Sequence, residues 1–311
     1  MEKDISSLFE EFVKQAKIEG KAPATIRNYR GNFELLKSFK PDLELKDLVP
    51  KTMVDFLTYQ NERERKVGNQ MVVRTLKNSS ILTIMAKLTA FFNWLRENRY
   101  ITEDPFKGIA YPNVDYTDKR AFPKEQLDKI YIAISRDTLW ENTFLKRRNL
   151  AMIMFLTLTG VRKGEFLGLQ LSDIDFKNKL ITIRGETSKS KRTRIIPIHP
   201  ALISYLEDYC EARAEYTTPY LWVSNNSDRN LSEDGLKHFI TNLSKATGVN
   251  CHIHRFRHTF AMNYYRQTHD IVGLKKLLGH KSIKMTLSYL RSLTDEDLIQ
   301  QMGKMVVAEF M

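Results

Sequence analysis

Five residues in the second half of the chain have the types needed to hold a phosphodiester and attack it. His254 and Arg257 form a His-x-x-Arg motif, His280 follows a leucine-glycine pair, and Tyr289 comes nine residues after His280. Upstream, Arg162 follows a Thr-Gly-Val sequence that is typical of a glycine-marked turn. The spacing of these residues is more informative than any one of them alone.

Each residue type in this set has a distinct chemical capacity. An arginine is a planar fork that matches two phosphate oxygens and stays charged at any working pH. A histidine takes or returns a proton near neutral pH, and a tyrosine is a nucleophile that can form a covalent intermediate. Glu165, three residues after Arg162, can hold that arginine from behind. Such a set can cut a phosphodiester without a metal ion.

A zinc site is the main alternative interpretation of the same region. Cys251, His252, His254 and His258 are metal-ligand types, and the last two have the spacing of a zinc-protease helix. However, Arg255 stands where such a helix needs the glutamate that acts as base. The neighbouring arginines would also repel a cation. The sequence therefore favours a site with neither metal nor cofactor.

The first part of the chain is predicted to be helical. Apolar residues recur at helical spacing in four stretches, which predicts four helices that begin near Ile5, Pro23, Pro50 and Ser79. The basic stretch 61–78 is either a surface loop that meets DNA or a solvated connection.

The Asp-Pro pair at 104–105 ends this helical part, because the residue before proline is disfavoured in a helix. We therefore expect a helical domain over residues 1–106. Residues 107–120 contain glycine, proline and many polar residues, and they are predicted to be a linker. A second domain is expected over 121–311.

The second domain is predicted to mix helices with a small sheet. A helix over 149–159 should end at Gly160, since glycine favours the helix C-terminus. The β-branched runs 179–183 and 194–198, joined by a polar basic loop, predict an antiparallel hairpin. Further helices are expected at about 200–214, at 232–247 and towards the end of the chain, with a short strand at 220–223. The predicted fold is mainly α with a small antiparallel β-sheet.

Composition indicates a polyanionic partner. The 311 residues carry a formal net charge of +12 and a pI of about 9.5, which suggests nucleic acid first. Two isolated cysteines make neither a disulfide framework nor a four-cysteine zinc site. No signal peptide or apolar run long enough to span a bilayer is found, so we expect a cytoplasmic protein without a membrane partner.

The order of Arg, Lys, His-x-x-Arg, His and Tyr along the chain resembles the catalytic signature of the tyrosine recombinases, the family of phage integrases, Xer proteins and Cre. Weaker matches at 24–29, 91–95 and 104–105 extend the resemblance over nearly the whole chain. The resemblance implies a helical, SAM-like core-binding domain followed by an α+β catalytic domain. It also implies strand breakage and rejoining through a 3′-phosphotyrosine and a Holliday junction.

The same resemblance implies roles for single residues. Tyr289 would be the nucleophile, and His280 would form a hydrogen bond to the scissile phosphate. The family's catalytic lysine lies in the hairpin loop, eight residues before a proline that ends the second strand. Pro197 places that lysine at Lys189, which would protonate the leaving 5′ oxygen as a general acid, with Lys191 as the rival position.

The implied partner is double-stranded DNA with an inverted-repeat core site, bound by a dimer per site and a tetramer in the synapse. A C-terminal helix is predicted from about Thr294, with an apolar stripe of Leu298, Met302, Met305 and Val306. That stripe could pack on its own domain or, as in relatives, dock on a neighbouring protomer to support oligomerisation.

Two other functions remain as alternatives at this stage. The first is DNA relaxation by a type IB topoisomerase-like monomer, which uses the same chemistry. The second is an architectural DNA-binding protein without catalysis, against which the complete set of Arg162, Lys189, His254, Arg257, His280 and Tyr289 speaks. Whether recombination serves integration, excision, inversion or dimer resolution is left open by the sequence.

Overall fold

The computed structural model describes residues 4–67, 70–73, 75–114, 121–136, 142–187, 192–225 and 227–290, together with residues 293, 297 and 299. By its internal contacts the chain divides into two compact units, Met1–Asp115 and Tyr116–Met311. Each unit has its own hydrophobic core. Within the described ranges, none of the helices is both long and apolar enough to cross a bilayer.

The first unit is built from helices with one added hairpin. Its elements are α1 (Ile5–Ile18), α2 (Pro23–Phe39), α3 (Pro50–Glu62), β1 (Glu64–Val67), β2 (Gln70–Val73) and α4 (Asn78–Glu97). Asp4 caps α1 by accepting from the backbone N–H groups of Ser6 and Ser7. Proline occupies the first position of α2 and of α3, where its missing N–H costs nothing. The helices expected from the apolar spacing therefore form.

The core of the first unit is rich in aromatic rings. Phe9 stacks on Phe33 with ring centroids 4.0 Å apart, and it meets the edge of Phe91 at 5.1 Å. Trp94 donates its indole N–H to Gln15 at 2.7 Å, which satisfies its polar atom. Phe106 is buried in the same core, and Ile109 packs against it.

The stretch 61–78 differs from the loop or connection that the sequence suggested. Strands β1 and β2 pair antiparallel there, with Glu64 opposite Val73 and Val67 opposite Gln70. The basic residues of this stretch suggested a loop, whereas the β-branched Val67, Val72 and Val73 favour extended backbone.

The second unit contains the remaining helices and a three-stranded sheet. Its elements are α5 (Lys124–Ser135), α6 (Thr143–Thr159), α7 (Lys163–Leu167), β3 (Ile174–Asp175), β4 (Leu180–Ile183), β5 (Arg194–Pro197), α8 (Pro200–Ala212), α9 (Glu233–Thr247), α10 (Ile253–Thr268), α11 (Ile271–Leu278) and α12 (Ile283–Leu287). The strand order is β3-β4-β5, and both pairings are antiparallel. The prediction of a mainly helical protein with a small antiparallel sheet is confirmed.

The expected strand over 220–223 is wrong. Tyr220 and Val223 form only isolated bridges, to Gln170 and Asn230 respectively. Between them, Trp222 is fully buried and stacks on Phe166, with centroids 4.7 Å apart, and on Tyr209, at 5.4 Å. A short apolar run bounded by polar residues looks like a buried strand, but here the aromatic core uses it as an irregular segment.

Candidate active site

The turn between α6 and α7 presents Arg162. Helix α6 ends at Gly160, whose φ of 60° lies in the left-handed region that favours glycine. A Cβ atom at this position would lie 2.3 Å from the ring of Phe260, so the close packing also requires glycine. Arg162 follows as the N-cap of α7, with only 16% of its side chain exposed.

Glu165 holds Arg162, as the sequence suggested, and it is fully buried. Its carboxylate accepts from the backbone N–H of Arg162 and from the guanidinium of Arg162, both at 2.9 Å. Arg194 donates to both carboxylate oxygens, at 2.9 and 2.8 Å. Burial raises the pKa of Glu165, but the hydrogen bonds and charges of Arg194 and Arg162 outweigh it and lower the pKa to about 2.

Arg257 is the most buried arginine of the cluster, with 2% of the residue exposed. Its Nε donates to the hydroxyl of Tyr289 at 3.0 Å. The two terminal nitrogens donate to the carbonyl oxygens of Gly160, at 2.6 Å, and Leu278, at 2.8 Å. Burial lowers the pKa of this guanidinium, although an arginine stays charged at working pH.

His280 is fixed in a single neutral form by its two neighbours. Arg257 can only donate, so the Nε2 atom of His280, 2.9 Å from it, accepts. The proton therefore sits on Nδ1, which donates to the Thr286 hydroxyl at 2.9 Å. Burial, and then the positive charges of Arg257, Arg162 and Arg194, lower the pKa of His280 to about 3. This histidine is uncharged at neutral pH.

Tyr289 is half-buried against two histidine rings. Its ring centroid lies 4.4 Å from that of His258 and 5.5 Å from that of His280, the latter in a stacked arrangement. These contacts orient the phenol so that its hydroxyl meets the guanidinium of Arg257. His258 was part of the alternative zinc set and otherwise expected to be structural, and its ring packs on the candidate nucleophile.

The remaining sequence-predicted residues are His254 and the lysine of the hairpin loop. His254 lies in the first turn of α10, one turn before Arg257, and its side chain is exposed. Lys189 and its rival Lys191 lie outside the described residues. Strands β4 and β5, which flank their loop, are described and pair with Ile183 opposite Arg194.

A small basic cavity opens beside His280. Its volume is about 210 Å³. It is lined by Arg192, Thr193, Arg194, Lys275, Lys276, Gly279, His280 and Lys281. Such a concentration of cations attracts an anion.

No three His, Cys, Asp or Glu side chains of the described residues lie close enough together to share a metal ion. Cys251, from the alternative zinc set, is buried, and burial raises the pKa of its thiol. A zinc ligand must be a thiolate, so this environment disfavours the ligand form.

Sequence reasoning missed Arg194 and Thr286. A signal for Arg194 existed: residues two apart on a strand share a face, so Arg194 lies on the side of buried Ile196 rather than with exposed Ile195. A charge on the inner face of a strand needs a partner, and Glu165 was the carboxylate available. Thr286 gave no comparable signal, because a threonine on a helix is usually unremarkable.

Family models and similar proteins match both units of the chain. The model of the phage integrase family matches residues 120–296, and that of the phage integrase SAM-like domain matches residues 4–114. The tyrosine recombinase XerC of Oceanobacillus iheyensis is 26% identical over 291 residues, which is 89% of either chain. The tyrosine recombinase XerA of Pyrococcus furiosus is also 26% identical, over 92% of this chain and 90% of its own.

Solved structures show the same fold. A lambda integrase tetramer bound to a Holliday junction superposes with a TM-score of 0.70 at 21% identity. The match covers 94% of this chain and 79% of that one. The matched families span both units and nearly all of the described residues, so this chain belongs to the phage integrase family, the tyrosine recombinases.

Proposed function

We propose that this protein is a site-specific recombinase that cuts and rejoins DNA through a covalent bond between Tyr289 and a 3′ phosphate. One observation carries the proposal: the Tyr289 hydroxyl lies 3.0 Å from the Nε of a buried arginine, Arg257. Arg162 and His280 complete a positive, enclosed site around it. A phenol held against a guanidinium is suited to attack an anion that the same guanidinium binds.

In the proposed reaction the phenol oxygen attacks phosphorus and displaces the 5′ oxygen. Arg162 and Arg257 hold the non-bridging oxygens and stabilise the charge that builds on them. Lys189 donates the proton that the leaving 5′ oxygen gains, and His254 takes the proton that Tyr289 loses. His280 is neutral, and its Nε2 accepts from Arg257 in the absence of DNA, so in this form it acts by orienting that arginine. The hydrogen bond to the phosphate that the family resemblance implies requires the proton of His280 to move from Nδ1 to Nε2.

Because the phosphotyrosine conserves the energy of the phosphodiester, rejoining needs no ATP. One nucleophile per chain cuts one strand, so the exchange of two duplexes needs four protomers. The lambda integrase structure is a tetramer on a Holliday junction, and the same assembly on an inverted-repeat core site is proposed for this chain.

The two units take different parts in this proposal. Residues 1–106 are the core-binding domain, 107–120 the linker, and 121–311 the catalytic domain with an oligomerisation helix at its end. The match of a SAM-like domain to residues 4–114 supports the first assignment, and the net charge of +12 supports DNA contacts by both units.

A suicide duplex tests the proposal. DNA with a nick beside the scissile phosphate, built from inverted repeats that flank the gene, releases a short strand after cleavage and traps the enzyme. We expect a covalent adduct on denaturing gels, and peptide mapping should find the nucleotide on Tyr289. Relaxation of a plasmid without any such site, by protein too dilute to oligomerise, would instead favour a topoisomerase. Absence of any adduct would refute the proposal.

A further inference from the structure

We propose that Arg194 is a positioning residue of the active site, which fixes Arg162, His280 and the return strand of the lysine loop relative to one another. This inference rests on the proposed function. Arg194 is the first residue of β5, and 10% of its side chain is exposed. All three of its nitrogen atoms donate hydrogen bonds: two to the Glu165 carboxylate, which binds Arg162, and one to the carbonyl of Leu277, three residues before His280.

The first link runs from Arg194 to Arg162. Both terminal nitrogens of Arg194 donate to the Glu165 carboxylate, in the bidentate geometry that makes such pairs strong and directional. The same carboxylate accepts from the backbone and the guanidinium of Arg162. Glu165 therefore sits between two arginines, and Arg194 determines where it can hold Arg162.

The second link runs from Arg194 to His280. Its Nε donates to the carbonyl oxygen of Leu277 at 2.8 Å. Leu277 lies in the last turn of α11, where carbonyl groups lack helical partners. Gly279, just beyond, has a φ of 62°, and a Cβ there would lie 3.0 Å from the NH1 of Arg194. Arg194 thus lies directly against the turn that presents His280.

Three consecutive carbonyls at this turn are each taken by a different arginine. Arg194 binds that of Leu277, Arg257 binds that of Leu278 at 2.8 Å, and Arg162 reaches that of Gly279 at 3.5 Å. Two of these arginines are proposed to bind the phosphate. Arg194 is the third, and each of its three nitrogen atoms already donates to Glu165 or Leu277, so the contribution that we assign to it is to geometry.

The third link concerns the loop that carries Lys189. Arg194 is the first residue of β5, so its hydrogen bonds tie the strand that returns from this loop to Glu165 and to α11. Arg184, just after β4, provides a comparison. Arg184 donates to Asp173, at 2.8 Å, and to the carbonyl of Gly168, at 3.2 Å. That pair has similar chemistry, and its hydrogen bonds to the described part of the chain reach no proposed catalytic residue. Arg184 is therefore a matched control for Arg194.

A positioning role for Arg194 has a pH signature. Charged and titratable groups interact with Glu165 from every side: Arg162, Arg194, Arg257 and His280. With Arg194 in place, the pKa of Glu165 is about 2, so the carboxylate is ionised throughout the working range. Without Arg194, burial still raises the pKa of Glu165 while the largest opposing influence is gone. Its pKa then rises, and protonation at mildly acidic pH releases Arg162.

Single-turnover cleavage of the suicide duplex from pH 5 to 8 separates the roles. Arg194→Gln should slow cleavage by about 10²-fold at neutral pH, the size of a small misplacement of reacting groups. The rate of Arg194→Gln should also fall more steeply towards acid than the wild-type rate, which already declines when the proposed base His254 becomes protonated. Arg194→Lys keeps the charge but not the fork, so it should be slower than wild type with an unchanged pH profile.

Two further variants complete the experiment. The double variant Glu165→Gln with Arg194→Gln should lose the added acid dependence, because the titrating carboxylate is absent. Arg184→Gln should lower the unfolding temperature yet cleave like wild type, with the wild-type pH profile. If Arg194→Gln cleaves within about threefold of wild type, far less than such misplacement costs, the positioning role is refuted. The positioning role is also refuted if Arg184→Gln shows the same slower cleavage and the same added acid dependence as Arg194→Gln. If the wild type itself forms no adduct, the proposed function fails, and the inference fails with it.

Discussion

The two units of this chain bury different kinds of side chain. Among the described residues of the first unit, Gln60 is the only buried one with a charged or amide group, and its core is a stack of aromatic rings. The second unit buries Glu165, Arg257 and His280 at the centre of its candidate site. Both units fold around apolar cores, but only the second also encloses a network of charges.

The difference teaches what each kind of burial achieves. Apolar contacts are non-directional, so the first unit is stabilised by packing that many sequences could supply. A buried charge is tolerated only with a full set of partners, and the loss of one partner leaves the others without compensation. The network of the second unit therefore fixes the positions of a few hydrogen-bond donors of the candidate site. For the same reason, a single substitution in this network is expected to disturb the other members.

Tyr289→Phe should break the function of the second unit most completely. The phenyl ring can still pack on His258 and His280, but the nucleophilic oxygen is gone. We expect no covalent adduct on a nicked suicide substrate, with site binding nearly intact in a band-shift assay. A persistent protein–DNA adduct in this variant would remove Tyr289 from its proposed role.

Arg257→Ala should reduce cleavage by about 10²–10³-fold, the usual cost of a lost transition-state donor. It should also lower the unfolding temperature, because the carbonyls of Gly160 and Leu278 lose their donor in a buried place. Arg162→Ala should slow cleavage similarly with a smaller stability loss, since it is more exposed. Lysine at either position should not restore the rate fully.

These arginine effects are measured by single-turnover cleavage with thermal unfolding of the same preparations. A rate within about threefold of wild type, well below the expected range, would show that the arginine is only a structural or surface contact.

Lys189→Ala should slow cleavage by about 10²-fold, the low end for a lost general acid. A 5′-bridging phosphorothioate should restore the rate, because sulfur leaves without much help from an acid. The matched control is Lys191→Ala in the same loop. Selective rescue of Lys191→Ala instead would move the assignment to that residue.

Deletion of residues 298–311 should leave cleavage of a single site nearly intact but weaken cooperative loading and abolish recombination. Asp297 is paired with Arg266 of α10, at 2.7 and 3.1 Å, so this residue is held on its own domain. A deletion that keeps Asp297 isolates the segment beyond it. Band shifts on half and full sites measure loading, and unchanged cooperativity with normal recombination would exclude docking in trans.

Phe33→Ala in the first unit is the contrasting change, with the smallest effect on chemistry. Loss of this buried ring should destabilise the protein by about 3–5 kcal/mol. The cleavage rate at saturating DNA and low temperature should stay at the wild-type value. A defect in that rate comparable to Arg257→Ala would mean that the two units do not differ in the way their cores suggest.

The sequence predicted most of the architecture because its signals were local. Proline at the first turn marked α2 and α3, glycine marked the end of α6, and β-branched runs marked β4 and β5. The hairpin at 64–73 and the irregular run at 220–223 were missed, since both depend on what lies nearby in the fold rather than along the chain.

The residues of the candidate site could be predicted where their side-chain type and their order along the chain indicated their role. Arg162, Arg257, His280 and Tyr289 do gather in the structure, as does Glu165 behind Arg162. The spacing of residues along the chain could not reveal that Arg194 shares Glu165, or that Thr286 sets the tautomer of His280. Both contacts join segments whose proximity only the folded chain determines.

The turn after α11 has a consequence for how this site can vary. Leu277, Leu278 and Gly279 serve the three arginines through backbone oxygens, which every amino acid supplies. Exchange of the two leucines for other apolar residues of similar size would leave these acceptors unchanged. The glycine is different, because a side chain there would both disfavour the backbone angle and displace Arg194. Part of the active site is thus encoded by the shape of the main chain, and a comparison of side-chain motifs alone would overlook it.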